Sequence, residues 1–521
     1  MCDDPMLKTM EVKMDYIIGI DAGTSNVKAV LFNLDGAEVL VESLENEPIY
    51  IGDNLVEQNM NTLWEKVVLC LQKLLKNGPA TADEIKGIGV TGQGEGCWLI
   101  DAAGEPVQNA LLWCDGRASD EVAKVTEEHP ELGELIYQTT GTPALTGTQL
   151  MLLKWMKNNR QDILDRASTS FFCKDWVRYK LTGKIHGDLT DTGTSLVNAK
   201  TGEVAEALLK KLDLEAYISY IPELVTSDTI VGMVSPEIAD TLGLNSHTPV
   251  IAGAIDVIAA AVGIGAVEDK NICVILGTTC ANEIFKKKED CHFGEPGTRY
   301  EKHAVGDLYV NLLATMNGTP NIDWALENIA TTKDFKEIDR LINEVPAGCG
   351  GVLFHPYISA AGERAPFYNP FAKANFFGIG AGTTRATLLR AVYEGVTMSI
   401  KDCLQDADRD SKIFIAGGGA KSSVWAQMIS DVTGMEVVVS SGNEFGAKGA
   451  AMMLGVATGI YDNYEDAAKK SCKFERSYKP IAEHVKVYDA LYELYKEIRI
   501  SNEKLWYKRA DLLKQLNPKS L

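Results

Sequence analysis

The chain has 521 residues, 45% hydrophobic and 24% charged, which is too long for one core and suggests two large domains or three modest ones of ordinary soluble composition. A net charge of −21 argues against nucleic acid and anionic membrane surfaces as partners. The 11 scattered cysteines, with no Cys-x-x-Cys pair and no His placed to complete a zinc site, fit a reduced, cytoplasmic protein.

Residues 1–13 carry acids and no apolar core, so no signal peptide is expected, and Met14 could serve as an alternative start. Tyr16–Phe32 then reads as two apolar, β-branched runs around the turn Asp21-Ala-Gly23-Thr24-Ser25, and Asp35-Gly36 reverses the chain toward a third run, Glu38–Ser43. In such a turn Gly23 admits a ligand close to the backbone, Thr24 and Ser25 offer donors to phosphate oxygens, and Asp21 can hold Mg²⁺. An ordinary hairpin turn satisfied by Asp and Thr is the alternative.

Leu63, Val67, Val68, Leu71 and Leu75 recur at helical spacing over Asn59–Leu75. Glu84–Val90 reads as a buried strand that delivers Thr91-Gly92-Gln93-Gly94-Glu95-Gly96 at its carboxyl end, where α/β proteins place ligands. Gln93 and Glu95 among glycines make a polar notch suited to hydroxyl groups. Trp113, Asp115 and Arg117 suit a polyol, the aromatic ring against carbon and the charged groups on oxygen. Asp115 and Arg117 could equally be an ion pair ahead of a helix starting at Ala118. Asp188–Ser195 is a hydroxyl-rich loop, and Gly232–Thr248 reads as a linker between halves.

Thr248–Val267 is apolar over a length that could span a bilayer, but Pro249, its glycines and Asp256 interrupt it, and no Lys/Arg-flanked topology accompanies it. A buried strand turning into a small-residue helix explains it better, with Asp256 at the junction. There Asp256 is either a helix cap or a general base made more basic by burial. At Asn271–Phe285 the opening pattern returns as strand, Gly277-Thr278-Thr279, strand. A duplicated strand–turn–strand unit implies two similar domains facing one nucleotide. Asn317-Gly318-Thr319 precedes a helix, Thr384–Ile400 is a strong helix, and Lys412–Ala416 opens onto Gly417-Gly418-Gly419-Ala420, where an adenosine could lie on bare backbone. Glu483–Gln515 is charged, helical and peripheral in this reading.

Taken together and in order, Asp21–Ser25, Gly253-Ala-Ile-Asp256, Gly277–Thr279, Arg364-Ala-Pro366, Phe377-Gly378 ahead of Arg390–Gly395, and Gly417–Ala420 followed by Gly446–Ala450 resemble the FGGY carbohydrate kinases from about Tyr16 to Lys496. The resemblance implies an α/β protein of two ribonuclease-H-like domains, as in the actin/hexokinase/heat-shock ATPase superfamily, with ATP and a sugar or polyol in the cleft between them. It puts a sugar-side domain at 15–247, a nucleotide-side domain at 248–496 and a helical tail at 497–521. It makes Asp256 the base, on the sugar and near the metal, and Asp21 a Mg²⁺ partner. Gly23, Thr24, Ser25, Gly277, Thr278 and Thr279 would surround the phosphates, and Gly318, Gly418, Gly419 and Ala420 the adenosine. Gln93, Glu95, Trp113 and Asp115 would hold the acceptor. Glycerol kinases carry Arg-Glu in the notch and xylulokinases Met-His. Gln93-Gly94-Glu95-Gly96 departs from both, and with Trp98-Leu-Ile-Asp101 and Leu112-Trp113-Cys-Asp115-Gly-Arg117 the chain resembles instead the erythritol and L-xylulose or keto-gulonate kinases, which favours a four- or five-carbon polyol or ketose. A sugar-sensing regulator, a sugar-independent ATPase and assembly as a homodimer stay open.

Overall fold

Side-chain alternation along Tyr16–Ala22 decides how the first sheet is used. Tyr16, Ile18, Ile20 and Ala22 enter one core with Leu63, Val67 and Leu71 of the helix Met60–Asn77, while Ile17 faces another. The computed structural model describes residues 14–52 and 54–516. Across the first sheet the strands run Ile230–Met233, Pro249–Ile251, Ile85–Gly92, Tyr16–Ala22, Asn26–Asn33 and Glu38–Glu45. The second runs Phe474–Tyr478, Glu436–Ser440, Lys412–Ala416, Asn271–Leu276, Cys280–Lys287, Leu308–Thr315 and Tyr300–Lys302. Each has an antiparallel meander, two strands parallel to the meander's first strand, and an antiparallel edge strand beyond them. The duplication expected from the two turns therefore extends through both sheets.

The boundary between the domains differs from the expected 247/248. Pro249–Ile251 pairs with Ile85–Gly92 in the first sheet, with Val250 opposite Ile88. Nor is 232–248 a linker, since it holds part of the edge strand and the helix Pro236–Leu242, whose Ala239 and Leu242 are buried in the first core. The chain passes from one sheet to the other between Ile264 and Asn271. The apolar stretch 248–267 is two short strands and the helix Asp256–Ile264; among the described residues no helix is long and apolar enough to cross a membrane.

Two helices cross between the sheets. Asp256–Ile264 follows the last parallel strand of the first sheet, and Phe445–Ala457 follows that of the second. Neither could approach the other so closely with side chains at the crossing. A Cβ at Gly449 would lie 1.8 Å from the Ala259 carbonyl oxygen, and one at Gly263 would lie 2.0 Å from that of Phe445. Phe445–Ala457 also lies directly on the first sheet, where a Cβ at Gly19 or Gly89 would come within 2.1 Å of the carbonyl oxygens of Ala447 or Ala450. The core around this crossing combines Ile17 and Phe32 of the first sheet with Cys273 and Phe414 of the second.

A further helical core, including Leu99, Leu150, Leu153, Met156 and Leu208, sits on the first domain. The segment 291–300 of the second domain straps onto it: the Tyr300 amide donates to the Gly141 carbonyl at 3.0 Å, and Gln138 Nε2 donates to the Gly294 carbonyl at 3.2 Å. The last helix, Ala482–Leu516, is not peripheral. Tyr488, Tyr492 and Tyr495 complete the second domain's core, and Trp506 stacks on Phe367; residues 517–521 of the expected tail lie outside the described residues.

Adding one methyl group at the crossing should be costly. Gly449→Ala is expected to lower stability by about 1–3 kcal/mol in urea unfolding, the usual cost of overpacking. Gly380→Ala, at an exposed glycine with nothing near its Cβ position, should stay within about 0.5 kcal/mol.

Candidate active site

Three strand ends of the first sheet converge by register. Asp21 pairs with Thr91 and Ala22 with Gly92, while Ala254 and Ile255 pair with the same Thr91 and Gly92 from the other side. Asp21, Gln93 and Asp256 therefore leave the sheet side by side at the carboxyl ends of parallel strands. Gly94 packs beneath Ile255, where a Cβ would lie 2.0 Å from Cδ1. The notch and the start of the Asp256 helix are thereby pressed together.

Asp256 is the first residue of its helix, with Ile255 in the capping position. Its Oδ1 accepts from the adjacent Val257 amide at 2.8 Å, and among the described residues no other donor pairs with the carboxylate. Burial pushes Asp256 up to about 7; the charge of Asp21 adds to this, the Val257 amide opposes it, and Glu301 and Glu95 contribute further. Asp21 is pushed up to about 6 by burial, with Lys28 opposing. Alternation points Asp21 toward the second domain's helix, where a Cβ at Gly446 would be 2.9 Å from Oδ2. Beside it Lys28 pairs with Glu444 across the domains at 2.6 Å.

The Gly23–Ser25 turn is braced by Asn46, whose Nδ2 donates to the carbonyls of Gly23 (3.0 Å) and Thr24 (3.3 Å) and whose amide donates to that of Ser25 (2.8 Å). Thr24 Oγ1 donates to Gln93 Oε1 at 2.9 Å and accepts from Trp113 Nε1 at 3.1 Å. This joins the first turn to the notch. In the second domain the Gly318 amide donates to the Thr278 carbonyl at 3.1 Å, and that of Thr319 donates to the Gly277 carbonyl at 2.8 Å. A Cβ at Gly318 would lie 2.1 Å from that Gly277 oxygen. Gly277, Thr278, Thr279 and Gly318 thus form one backbone surface. Gly417–Gly419 follows the neighbouring Lys412–Ala416 strand, and Gly418 is exposed with open space at its Cβ position. Ala420 departs from expectation: its side chain is buried in the second domain's core.

In the notch Glu95 adopts φ +55, the left-handed region that only glycine enters freely. Its amide donates to Asp191 Oδ1 at 3.0 Å. Asp191 belongs to a fully buried group in which Lys174 Nζ lies 2.7 Å from Asp188 Oδ1, 3.0 Å from Asp175 Oδ1 and 3.3 Å from Asp191 Oδ2. The hydroxyl-rich 188–195 loop is thus a buried brace beneath the notch. From the second domain's strap, Arg299 Nη2 reaches Glu95 Oε1 at 2.7 Å and also lies 2.7 Å from Glu301 Oε1. Trp113 is 42% exposed beside Thr24. Asp115 is excluded from an acceptor site: it is fully buried, Oδ2 accepts from the Val56 amide (2.7 Å), and Oδ1 accepts from Arg117 Nε (2.7 Å). Arg117 extends the pair to Glu57 at 2.9 Å, so this is a structural ion pair.

Sequence reasoning missed Asn46, Asp191, Arg299 and Glu363. Glu363 accepts from the Met316 amide and Asn317 Nδ2, both at 2.8 Å, tying the 317–319 turn to the Arg364 loop. None carries a motif; their roles come from long-range contacts alone.

Family models for the N-terminal and C-terminal domains of the FGGY family of carbohydrate kinases match residues 16–263 and 273–458. The chain belongs to this family. It is a carbohydrate kinase, an ATP-using enzyme that phosphorylates a sugar-type small molecule. It is 31% identical to the erythritol kinase of Brucella abortus over 97% of this chain and 99% of that one, and 28% identical to the xylulose kinase of Bacillus subtilis over 93% and 97%. The gluconate kinase structure from Lactobacillus acidophilus shares the fold, with TM-score 0.86 and 22% identity over 95% of this chain and 99% of that one.

The raised Asp256 sets a pH dependence. A protonated carboxyl cannot accept a proton, so a base role for Asp256 predicts that kcat/KM falls with decreasing pH below about 7 and levels off above it. Because folding raises this value, the ionised form opposes folding at high pH and the effect disappears as pH falls toward the unfolded value. Asp256→Asn is therefore expected to melt at or above the parent's temperature at pH 8, with the difference shrinking at pH 5. A clear loss of Tm at pH 8 would assign Asp256 a structural role instead.

Proposed function

We propose that this kinase transfers the γ-phosphate of ATP to a hydroxyl of a four- or five-carbon polyol or ketose, with Asp256 as the general base. The observation that carries the reading is the convergence of Asp21, Gln93–Glu95 and Asp256 at one sheet edge, with the cross-domain contacts Lys28–Glu444 and Glu95–Arg299 on either side. The kinases named for erythritol and xylulose support the acceptor's size.

In this reading Asp256 takes the proton from the attacking hydroxyl. Its single, local hydrogen bond leaves the carboxylate able to receive that proton, and its burial keeps it basic enough to hold it. Glu95 and Gln93 orient the acceptor, Thr24 ties the notch to the phosphate turn, and Trp113 supplies an apolar face. Backbone and hydroxyl donors of Gly23–Ser25 and Gly277–Thr279 hold the phosphates, and the open backbone at Gly418, between Gly318 and Gly419, receives the adenosine. Among the described residues no group of three or more acidic, His or Cys side chains is arranged to hold a metal. Mg²⁺ binds through one or two carboxylates together with phosphates and water, and Asp21 and Asp256 are the carboxylates that would hold it here. Bound there, Mg²⁺ neutralises phosphate charge as transfer proceeds. The protein's share of catalysis is then positioning and exclusion of water.

A panel of tetritols, pentitols and ketopentoses in an ATP-consumption assay tests the reading. One or more should stimulate turnover strongly, and Asp256→Asn should reduce that turnover about 10²–10⁴-fold while ATP affinity is unchanged. Basal ATP hydrolysis unaffected by every acceptor would favour a sugar-independent ATPase. Glu95→Ala should raise the acceptor KM and leave the ATP KM almost unchanged, because it removes binding made equally in the ground and transition states. Equal effects on both would remove Glu95 from the acceptor site.

A further inference from the structure

The acceptor notch is not built by one domain. Arg299 arrives on the 291–300 strap, and its Nη2 is shared between Glu95 of the first domain and Glu301 of the second, both at 2.7 Å. The Glu301 contact lies off the N–H direction, so it is an ion pair without a hydrogen bond. Both Glu301 oxygens and Arg299 Nε are buried without a hydrogen-bonding partner. A donor and acceptors thus stand unsatisfied within one group of charged side chains beside the notch. The other charged groups facing it are Asp256, Arg364 at the exposed end, and Glu283. Glu283 is fully buried with neither oxygen partnered, and burial pushes it well above the carboxylate range. Within this group two carboxylates, Glu95 and Glu301, thus share the one guanidinium of Arg299.

We propose that Arg299 is a specificity-determining residue of the acceptor site and that the Glu95–Arg299–Glu301 group selects neutral polyols or ketoses against sugar acids of the same length. The inference rests on the kinase reading above and deepens it. A hydroxyl both donates and accepts, so it can take a hydrogen bond from Arg299 and give one to a glutamate. A carboxylate only accepts. It would add a negative charge to a site whose carboxylates already outnumber its cations, and its oxygens would meet those of Glu95 and Glu301 with no proton between them.

The test compares each neutral acceptor with its own acid, erythritol with erythronate and xylulose or xylitol with xylonate, as kcat/KM at saturating ATP. The neutral member is expected to lead by about a hundredfold or more. Arg299→Met should raise the neutral acceptor's KM about 10- to 100-fold, the loss expected for a hydrogen bond to a charged group, with ATP affinity by calorimetry unchanged. Glu95→Gln, which removes one negative charge, should shift the acid-to-neutral ratio toward the acid, whereas Arg299→Met should shift it away. A purely structural ion pair would leave that ratio unmoved in both variants, which overturns the proposal; retained ATP affinity shows that each variant is folded. An acid used as well as its neutral partner overturns this inference while the kinase reading stands. Turnover of neither class overturns both.

Discussion

The backbone-to-backbone crossing of Asp256–Ile264 and Phe445–Ala457 is the constraint on which the rest of the molecule depends. Each helix continues from the last parallel strand of its own sheet, and together they form the layer between the sheets. With glycine at 263 and 449 the helices meet at carbonyl and amide groups rather than at side chains. Close packing of this kind is stiff, since small displacements at once become clashes. The beginning of one helix is Asp256. The beginning of the other lies against Asp21. The contact that joins the domains therefore also sets the relation between the two carboxylates of the proposed site.

That arrangement runs against stability. Two half-buried carboxylates, both pushed up by desolvation, lie near one another, two more lie within electrostatic reach, and the nearby cation Lys28 is held by Glu444. A molecule selected for stability alone would place apolar groups here, because unpaired buried charge is costly. The Lys174 group shows the contrast: there a buried amine meets three carboxylates at hydrogen-bonding distances and serves as a rigid brace. Glu95, left-handed without being glycine, sits in the notch; Asp213, Lys270 and Cys349 share that backbone conformation elsewhere in the chain.

Much of this was legible in the residues. The Gly23–Ser25 and Gly277–Thr279 turns, the meander, the strand before the notch and the helix from Asp256 follow from short-range patterns: alternation, glycine at turns, apolar spacing. Gly89 also carried information, since glycine on one face of a strand marks where another backbone lies against it. Its partner, the helix at 445–457, is some 360 residues away and nothing local names it. The same limit explains the misplaced boundary at 247/248. Pro249–Ile251 is buried and apolar whichever sheet it joins, and only pairing with Ile88 decides the matter. Asp115 looked like a ligand because Asp and Arg at that spacing suit a polyol and an ion pair equally. The Val56 amide and Glu57 settle it as the pair. Arg299 lay in a turn-rich stretch without periodicity, and its importance exists only in the folded molecule.

The proposed chemistry requires an acceptor site completed by both domains around Asp256. A crystal structure with a neutral acceptor and a non-hydrolysable ATP analogue tests this most directly. The attacked hydroxyl should lie about 2.6–3.2 Å from an Asp256 oxygen, within hydrogen-bond reach. Glu95 and Arg299 should both touch the acceptor, and the terminal phosphate should lie between the Gly23–Ser25 and Gly277–Thr279 turns. An acceptor bound by the first domain alone, with Asp256 turned away and its carboxylate still on the Val257 amide, would contradict it.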